Sequence, residues 1–319
     1  MASSIDVSVV IPVLNEENNL EELIKRCLNT CRTMNLSFEI ILVDDGSTDG
    51  SSTIIISEAD KNPGQLIGII LNKNYGQHSA IMAGFSKSRG KIIVTLDADL
   101  QNPPEEITRL VNKINEGFDV VGSIRVARAD SFFRRISSWF VNKMAQKTTG
   151  ELLHDYGCML RAYRRHIVEA MLQCNERNTF IPILALNFAQ KTTEIEVKHD
   201  PRKAGYSKYS LWKLINLQFD LLTSMSTFPL RLLMMLGIFI SLIGFSLAVY
   251  ILIMRAMMYG DNWSTRGIFT AFAIIYIFIG AQFIGMGLLG EYIGRMYYDV
   301  RSRPRFFIRQ VVGRNEIEE

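Results

Sequence analysis

Two long uncharged stretches near the C-terminal end constrain the fold of this chain more than any other feature. They cover residues 232–253 and 268–289, and neither contains Asp, Glu, Lys, Arg or His. Each has about 22 residues, enough for a helix to cross a hydrocarbon layer of about 30 Å. Helices in the cores of soluble proteins are rarely apolar on every side over that length. We therefore predict two transmembrane helices that form a hairpin, with two buried core helices as the alternative.

The charged residues around these stretches predict their orientation. The outer flanks are rich in arginine, whereas the short connection contains Arg255, Asp261 and Arg266. Because the cytoplasmic flanks of transmembrane helices carry an excess of Lys and Arg, we expect both flanks on the cytoplasmic side and the connection outside. The flanking basic residues are Lys213 and Arg231 before the first stretch, and Arg295, Arg301, Arg303, Arg305, Arg309 and Arg314 after the second.

The remainder of the chain has the composition of a globular protein. Hydrophobic residues make up 48% of the sequence and charged residues 21%, and the net charge of +3 gives no indication of nucleic-acid binding. The four cysteines, at positions 27, 31, 158 and 174, lack the spacing of a zinc site and fit a reducing compartment. No basic and then apolar leader precedes the first predicted strand, so we expect no signal peptide.

Apolar, β-branched runs alternate with helix-like segments before residue 210. This alternation predicts an α/β domain with a mainly parallel sheet and helices on both faces. Ligands of such sheets bind at the carboxyl ends of the strands. The predicted strands are residues 7–13, 39–43, 66–71, 91–96 and 119–123, and the predicted helices are residues 17–34, 51–60, 78–88 and 104–117.

Polar signatures follow three of the predicted strands. Pro12, Asn15 and Glu16 end the first strand, residues 44–47 follow the second, and Asp97 and Asp99 follow the fourth. Each signature has a structural alternative. Asn15 or a residue of 47–49 is a suitable helix cap, Asp44 is a typical turn residue, and Asp97 and Asp99 would lie in a plain loop before a helix that starts at Pro103-Pro104. Three signatures at one sheet edge nevertheless favour a binding site.

The pair Asp97 and Asp99 is the predicted chemical centre of that site. Residues two apart at the end of an extended strand project to the same side. Two carboxylates there suit Mg²⁺ or Mn²⁺, which would be shared with a diphosphate. Asp44 and Asp45 are then candidates for holding a base or ribose, since carboxylates accept hydrogen bonds from imide and hydroxyl groups.

Five motifs along the chain together resemble a known family. They are Pro12-Val13-Leu14-Asn15-Glu16-Glu17, Asp44-Asp45-Gly46-Ser47, Asn74-Tyr75-Gly76, the run from Asp97-Ala98-Asp99 to Glu105, and Arg202-x-x-Gly205-x-Ser207-Lys208. The chain resembles family 2 glycosyltransferases of the GT-A fold, and most closely their polyprenyl-phosphate branch, which includes dolichol-phosphate mannose synthases. Residues 74–84, 155–166 and 280–295 are similar to the members that attach 4-deoxy-4-formamido-L-arabinose to undecaprenyl phosphate, for lipid A modification and polymyxin resistance.

This resemblance implies a role for each motif. Nucleotide contacts are implied for Pro12, Asn15, Glu16, Asp44 and Asp45, and Asp97 would lie near the ribose or diphosphate. The metal, Mg²⁺ or Mn²⁺, would be held by Asp99, with Asp97 and Gln101 as further ligands. Arg202 and Lys208 would meet the diphosphate, with a solvated basic loop as the alternative. The reaction implied is an inverting transfer from a UDP-sugar at the cytoplasmic face of a bacterial inner membrane.

The acceptor is expected to lie beside a basic amphipathic segment. Apolar residues recur at three- and four-residue steps between 131 and 148, which predicts an interfacial helix. A purely structural amphipathic helix is the alternative. Arg suits phosphate oxygens, and the candidate lipid-phosphate ligands are Arg125, Arg128, Arg134 and Arg135. Asp155 matches an aspartate of the branch pattern and is the candidate base, although the acceptor phosphate is already about −1.5 to −2 at pH 7.

We predict a catalytic domain over residues 1–210, an interfacial helix over 211–230, the membrane hairpin over 231–290 and a basic tail over 291–319. Glycines at one end of the second stretch, together with the resemblance, favour a homo-oligomer such as a tetramer. A polyprenyl-phosphate glucosyl- or mannosyltransferase and a non-catalytic membrane scaffold are the alternatives. A nucleotidyltransferase should have a Gly-rich, Arg-containing loop after the first strand, and a processive polysaccharide synthase should have more spans.

Overall fold

A computed structural model describes residues 5–125, 158–174, 180–198, 228–257, 264–300 and 304–314. The chain forms two compact units. The first consists of Met1–Ile215 together with Arg303–Glu319, and the second is Asn216–Ser302.

The first unit is built on one eight-stranded sheet with the order β7-β5-β6-β4-β1-β2-β3-β8. Its pairings make β1 to β5 and β7 run in the same direction, whereas β6 and β8 are antiparallel to their neighbours. The prediction of a mainly parallel sheet is therefore confirmed. The strands are β1 (Val7–Val13), β2 (Phe38–Asp44), β3 (Leu66–Leu71), β4 (Ile92–Thr95), β5 (Val120–Arg125), β6 (Arg161–Arg164), β7 (Thr192–Val197) and β8 (Ile308–Val312).

Helices cover both faces of this sheet, so that two hydrophobic cores form. One core lies between the sheet and α1, α2 and α4, and the other between the sheet and α3, α5 and α6. The helices of this unit are α1 (Glu17–Thr33), α2 (Ser51–Lys61), α3 (Gln77–Lys87), α4 (Ile107–Asn115), α5 (Arg165–Gln173) and α6 (Ile181–Phe188), and a 3₁₀ turn (Pro104–Glu106) precedes α4.

Helix α1 illustrates why the sequence forms these elements. Leu20, Leu23, Ile24, Cys27 and Cys31 are buried, and their three- and four-residue spacing places them on one face. The two cysteines therefore share a buried face. Burial raises the pKa of the Cys31 thiol to about 12, so that it stays a neutral apolar side chain.

The C-terminal segment adds an edge strand that the sequence analysis did not predict. Strand β8 pairs antiparallel with β3, and Val311 and Val312 pack against the two cores on opposite faces of the sheet. Two further contacts fix its end: the Gly64 amide donates to the Gly313 carbonyl at 3.0 Å, and Arg314 Nη2 donates to the Lys87 carbonyl at 2.8 Å. Part of the predicted basic tail is thus a strand of the first unit.

The second unit contains two long helices, α7 (Phe228–Met257) and α8 (Ser264–Val300), of 30 and 37 residues. Many of their large apolar side chains are exposed, among them Phe245, Phe283 and Ile284. Across the residues that the structure describes, no helix is long and apolar enough to cross a membrane.

Candidate functional site

The site lies beside β1, where the connections between strands lead in opposite directions across the sheet. Strand β1 pairs with β2 on one side and with β4 on the other, and its ladder with β4 ends at the pair Val10 and Thr95. Strand β1 continues to Val13, so Pro12, which has no backbone N–H, lies beyond the pairing with β4. Crevices of this kind, between strands whose connections lead in opposite directions, are the usual ligand sites of parallel sheets.

Hydrogen bonds join the loops after β1 and β2. Asn15 has a left-handed φ of 56°, a conformation that asparagine tolerates better than most residues. Its amide donates to Ser47 Oγ at 3.0 Å, and its Oδ1 accepts from the Thr48 amide at 2.8 Å. The Glu16 amide donates to Ser51 Oγ at 3.0 Å. Glu16, not Asn15, occupies the N-cap of α1, so the capping alternative for Asn15 is wrong.

Asp44 ends β2 and Asp45 follows it, and both side chains are buried. Asp44 accepts from the Ser47 amide at 3.0 Å and from the Ser52 hydroxyl, which orders the turn before α2. Gly46 is required in that turn, because it has a φ of 73° and a Cβ there would lie 2.6 Å from the Asn74 nitrogen. Nucleotide binding by Asp44 and Asp45 stays a prediction. Both residues also hold the loops in place.

Asp45 connects β2 to the next loop. Its two carboxylate oxygens accept hydrogen bonds from the Tyr75 amide at 2.7 Å and the Gly76 amide at 2.9 Å. Burial raises the pKa of this carboxyl, against the effect of the two backbone hydrogen bonds. The turn between β3 and α3 is therefore anchored at the same sheet edge.

Asp97 and Asp99 lie in the turn after β4, which ends at Thr95 and not at residue 96 as predicted. Burial alternates strictly here, since Ala98 and Leu100 are buried whereas Asp97, Asp99 and Gln101 are half-buried. Both carboxylates are therefore partly accessible in this turn, and their projection to one side stays a prediction. Leu100 has a φ of 60°, a strained conformation for a buried leucine of the kind that often marks functional loops.

Two hydrogen bonds orient this carboxylate pair. Asp99 Oδ1 accepts from the Gln101 amide at 3.1 Å, and Asp97 Oδ1 accepts from Gln77 Nε2 at 2.7 Å. Gln77 is the first residue of α3, and the sequence analysis gave it no role. The available signal was its position directly after the Asn74-Tyr75-Gly76 motif, at the start of a helix that follows β3.

The donor set fits a cation that is shared with a ligand. Within the described ranges no group of three or more His, Cys, Asp and Glu side chains is arranged to hold a metal ion. Mg²⁺ that is bound together with substrate phosphates needs only one or two protein carboxylates. Asp97 and Asp99, both half-buried in this turn, provide that number.

Strands β5 and β6 meet the same edge. Strand β6 is antiparallel and begins opposite the end of β4, with Arg161 paired to Thr95. Just before it, Cys158 Sγ lies 2.9 Å from Ser123 Oγ, and Thr95 Oγ1 donates to the Met159 carbonyl at 2.5 Å. Arg125, a predicted lipid-phosphate ligand, ends β5.

Several predicted site residues lie outside the described residues. They are Arg128, Arg134, Arg135, Asp155, Arg202 and Lys208, together with the helix predicted at 131–148.

His78 is the second residue of α3 and lies edge-on to the Phe180 ring, with 5.2 Å between ring centroids. Burial lowers the pKa of its imidazole to about 4, so the ring is neutral at pH 7. Its Nδ1 is buried without a hydrogen-bond partner in the described part of the chain. These contacts indicate a structural role for His78.

Comparison with known proteins finds relatives that match nearly the whole length of this chain. Residues 8–172 match glycosyl transferase family 2. The chain is 57% identical over 312 residues to the undecaprenyl-phosphate 4-deoxy-4-formamido-L-arabinose transferase of Yersinia enterocolitica, covering 98% of this chain and 95% of the relative. Identity to the transferase of the same name from Photorhabdus laumondii is 58% over 313 residues, covering 98% and 96%.

Solved structures share the fold at much lower identity. Glucosyl-3-phosphoglycerate synthase from Mycobacterium tuberculosis superposes with a TM-score of 0.51 at 18% identity, covering 70% of this chain and 79% of that one. Mannosyl-3-phosphoglycerate synthase from Rubrobacter xylanophilus gives 0.50 at 14% identity, covering 68% and 71%. The first unit therefore has a GT-A-like α/β fold.

Proposed function

The chain belongs to glycosyl transferase family 2, and we propose that it transfers 4-deoxy-4-formamido-L-arabinose from a UDP-linked donor to undecaprenyl phosphate. The observation that carries this proposal is the identity of 57% over 98% of the chain to a relative that bears this name. An identity that extends through both units supports the same acceptor as well as the same donor. A glucosyl or mannosyl donor with the same acceptor is the alternative.

The donor would bind at the crevice between β1 and β4. Asn15 and Glu16, which follow β1, would border it from one side, and Asp97 and Asp99, which follow β4, from the other. Pro12, Asp44 and Asp45 would complete the nucleotide site, with Arg202 and Lys208 as candidates for the diphosphate. Because loop hydrogen bonds already fix Asn15, Asp44 and Asp45, the nucleotide would meet a largely preformed surface.

Asp99, Asp97 and Gln101 would hold a divalent cation, Mg²⁺ or Mn²⁺. Such an ion, when bound, neutralises charge on the departing nucleoside diphosphate. The protein's own contribution is to hold the two carboxylates on one side of the strained turn at Leu100. That preorganisation avoids reorganisation when charge develops in the transition state.

The transfer itself is a single displacement that inverts the anomeric carbon. A phosphate oxygen of the lipid forms the new bond to that carbon, while the bond to UDP breaks and its electron pair leaves with the diphosphate. A dianionic acceptor needs no base for this step. Asp155 would therefore mainly orient the acceptor, with Arg125, Arg128, Arg134 and Arg135 near its phosphate.

We place α7 and α8 in the inner membrane as a hairpin, with the catalytic unit and both termini cytoplasmic. This placement goes beyond the structure, because no helix among the described residues is long and apolar enough to cross a membrane. Its support is the absence of charge over residues 232–253 and 268–289, and the exposure of apolar side chains such as Phe245 and Phe283. A homo-oligomer remains a prediction.

Membrane topology can be tested in cells. The variant Asn262→Cys, in the connection, should react with a membrane-impermeant maleimide added from outside, whereas Asp60→Cys, at an exposed position of the catalytic unit, should react only after lysis. Labelling of all sites only after lysis, together with release of the protein by alkaline carbonate, would refute the hairpin.

The enzymatic proposal is tested with the purified full-length protein, undecaprenyl phosphate and a panel of UDP-sugars. We expect transfer of the formamido-arabinose, loss of transfer with chelator, and recovery with Mg²⁺ or Mn²⁺. Transfer of an unmodified hexose alone would refute the sugar assignment. No transfer and no cation-dependent binding of UDP would favour a non-catalytic scaffold.

A further inference from the structure

Helix α3 brings an amide side chain to the carboxylate pair from a distant part of the sequence. Gln77 Nε2 donates to Asp97 Oδ1 at 2.7 Å, although the two residues are 20 positions apart. The contact is possible because α3 packs across β1 and β2, so that its first turn lies at the edge where β4 ends.

Two hydrogen bonds from the Gly76 amide hold the backbone just before Gln77. The Gly76 amide donates to Asp45 Oδ2 at 2.9 Å and to Asn74 Oδ1 at 3.1 Å. Gly76 has φ 92° and ψ 153°, a conformation open almost only to glycine. Asp45, Gly76 and Gln77 thus form a connection from the end of β2 to the carboxylate after β4.

We infer that Gln77 is a positioning residue for Asp97, fixing its carboxylate for a divalent cation shared with the donor diphosphate. This inference rests on the proposed function. An amide suits this task because it donates a hydrogen bond to one carboxylate oxygen without adding charge. A lysine or arginine at the same position would compete with the cation for the carboxylate. Partners that orient metal ligands typically change metal affinity or activity by about 10–100-fold when they are removed.

The test compares Gln77→Met with Gln190→Met in the full-length protein. Methionine keeps nearly the size of glutamine but cannot donate a hydrogen bond. Gln190 is the control, because its side chain is exposed, and its backbone amide, which the substitution keeps, donates to Asp119 just before β5. The measurement is Mn²⁺ binding in the presence of UDP, followed by electron paramagnetic resonance of the free ion.

We expect Gln77→Met to weaken Mn²⁺ binding by about tenfold or more and to raise the Mn²⁺ concentration needed for half-maximal transfer to the same extent. Turnover at saturating Mn²⁺ should recover to near the wild-type value, and the KM for the donor at saturating Mn²⁺ should not change. Gln190→Met should behave as wild type. The shorter amide of Gln77→Asn should also weaken binding, since it does not reach Asp97, and it provides the test if the methionine variant folds poorly.

A double-mutant cycle identifies the partner. In an Asp97→Asn background, Gln77→Met should cause no further loss of Mn²⁺ affinity, because the carboxylate that it orients is gone. Unchanged Mn²⁺ binding in a folded Gln77→Met protein would overturn the inference, as would a raised donor KM with unchanged Mn²⁺ affinity, which would indicate direct contact with the donor. Failure of the proposed function is distinct, since the wild-type protein would then show no UDP-dependent Mn²⁺ binding.

Discussion

Asp45 Oδ2 accepts a 2.9 Å hydrogen bond from the Gly76 amide, 31 positions further along the chain. The other carboxylate oxygen accepts from the Tyr75 amide at 2.7 Å. One buried carboxylate therefore satisfies two adjacent backbone donors and determines where α3 begins. Any nucleotide contact that Asp45 makes is combined with this structural role.

Asp45→Asn should destabilise the protein and weaken donor binding. The asparagine oxygen can accept from one of the two amides, but its NH₂ group then faces the other donor. An unsatisfied buried donor costs about 1–3 kcal/mol, and loss of the desolvated charge offsets part of that cost. We expect a lower Tm and a higher Kd for UDP, measured by thermal unfolding and calorimetry. Asp60→Asn, at an exposed position of α2, is the control, and an unchanged Tm for Asp45→Asn would contradict the role assigned here.

Asp99→Ala should reduce turnover far more than Asp155→Asn. Removing Asp99 takes away a proposed cation ligand, and loss of preorganised electrostatic stabilisation typically costs about 10²–10³ in rate. Asp155→Asn should cost less than about tenfold, because a dianionic phosphate needs no base. Steady-state transfer assays of both variants, matched for folding by circular dichroism, provide the comparison. Equal losses would show that Asp155 has a chemical role.

Stability should fall as the pH falls from about 6.5 towards 4, partly because of His78. The pKa of its imidazole is about 4 in the folded protein and near 6.5 when unfolded, so the unfolded state binds the extra proton first. This linkage contributes about 1–3 kcal/mol above pH 6.5 and is lost below it. His78→Phe should flatten the dependence of Tm on pH over this interval. A profile for His78→Phe that matches wild type would refute the assignment.

Val312→Asp should loosen strand β8. Val312 packs against the core on one face of the sheet, and its Cγ2 occupies the space beside Gly68 on β3. A carboxylate there would be partly desolvated, which we expect to lower the free energy of unfolding by about 1–3 kcal/mol. The exposed Gln310→Asp in the same strand is the matched control. Thermal unfolding and hydrogen exchange at β3 would measure the effect, and equal behaviour of the two variants would contradict it.

Local pattern was sufficient for the first half of the catalytic unit. Predicted and observed bounds of β1 and β3 are the same, and those of β2, β4 and α1 to α3 differ by one residue. These elements have strong periodicity, since β1 to β3 are buried on both faces and α1 has one continuous apolar face. Strands β6, β7 and β8 were missed, because four to six residues with Arg, Glu or Gln between apolar positions do not stand out from loops.

The sequence by itself determined the α/β alternation and the position of Asp97 and Asp99 at the sheet edge, since these follow from periodicities along a single segment. Only the tertiary structure decided that Gln77 reaches Asp97, that Asp45 supports the turn at Gly76, and that residues 308–312 close the sheet beside β3. Each of these contacts joins residues that are far apart in the chain. Their partners are selected by strand order and helix packing, which no local pattern encodes.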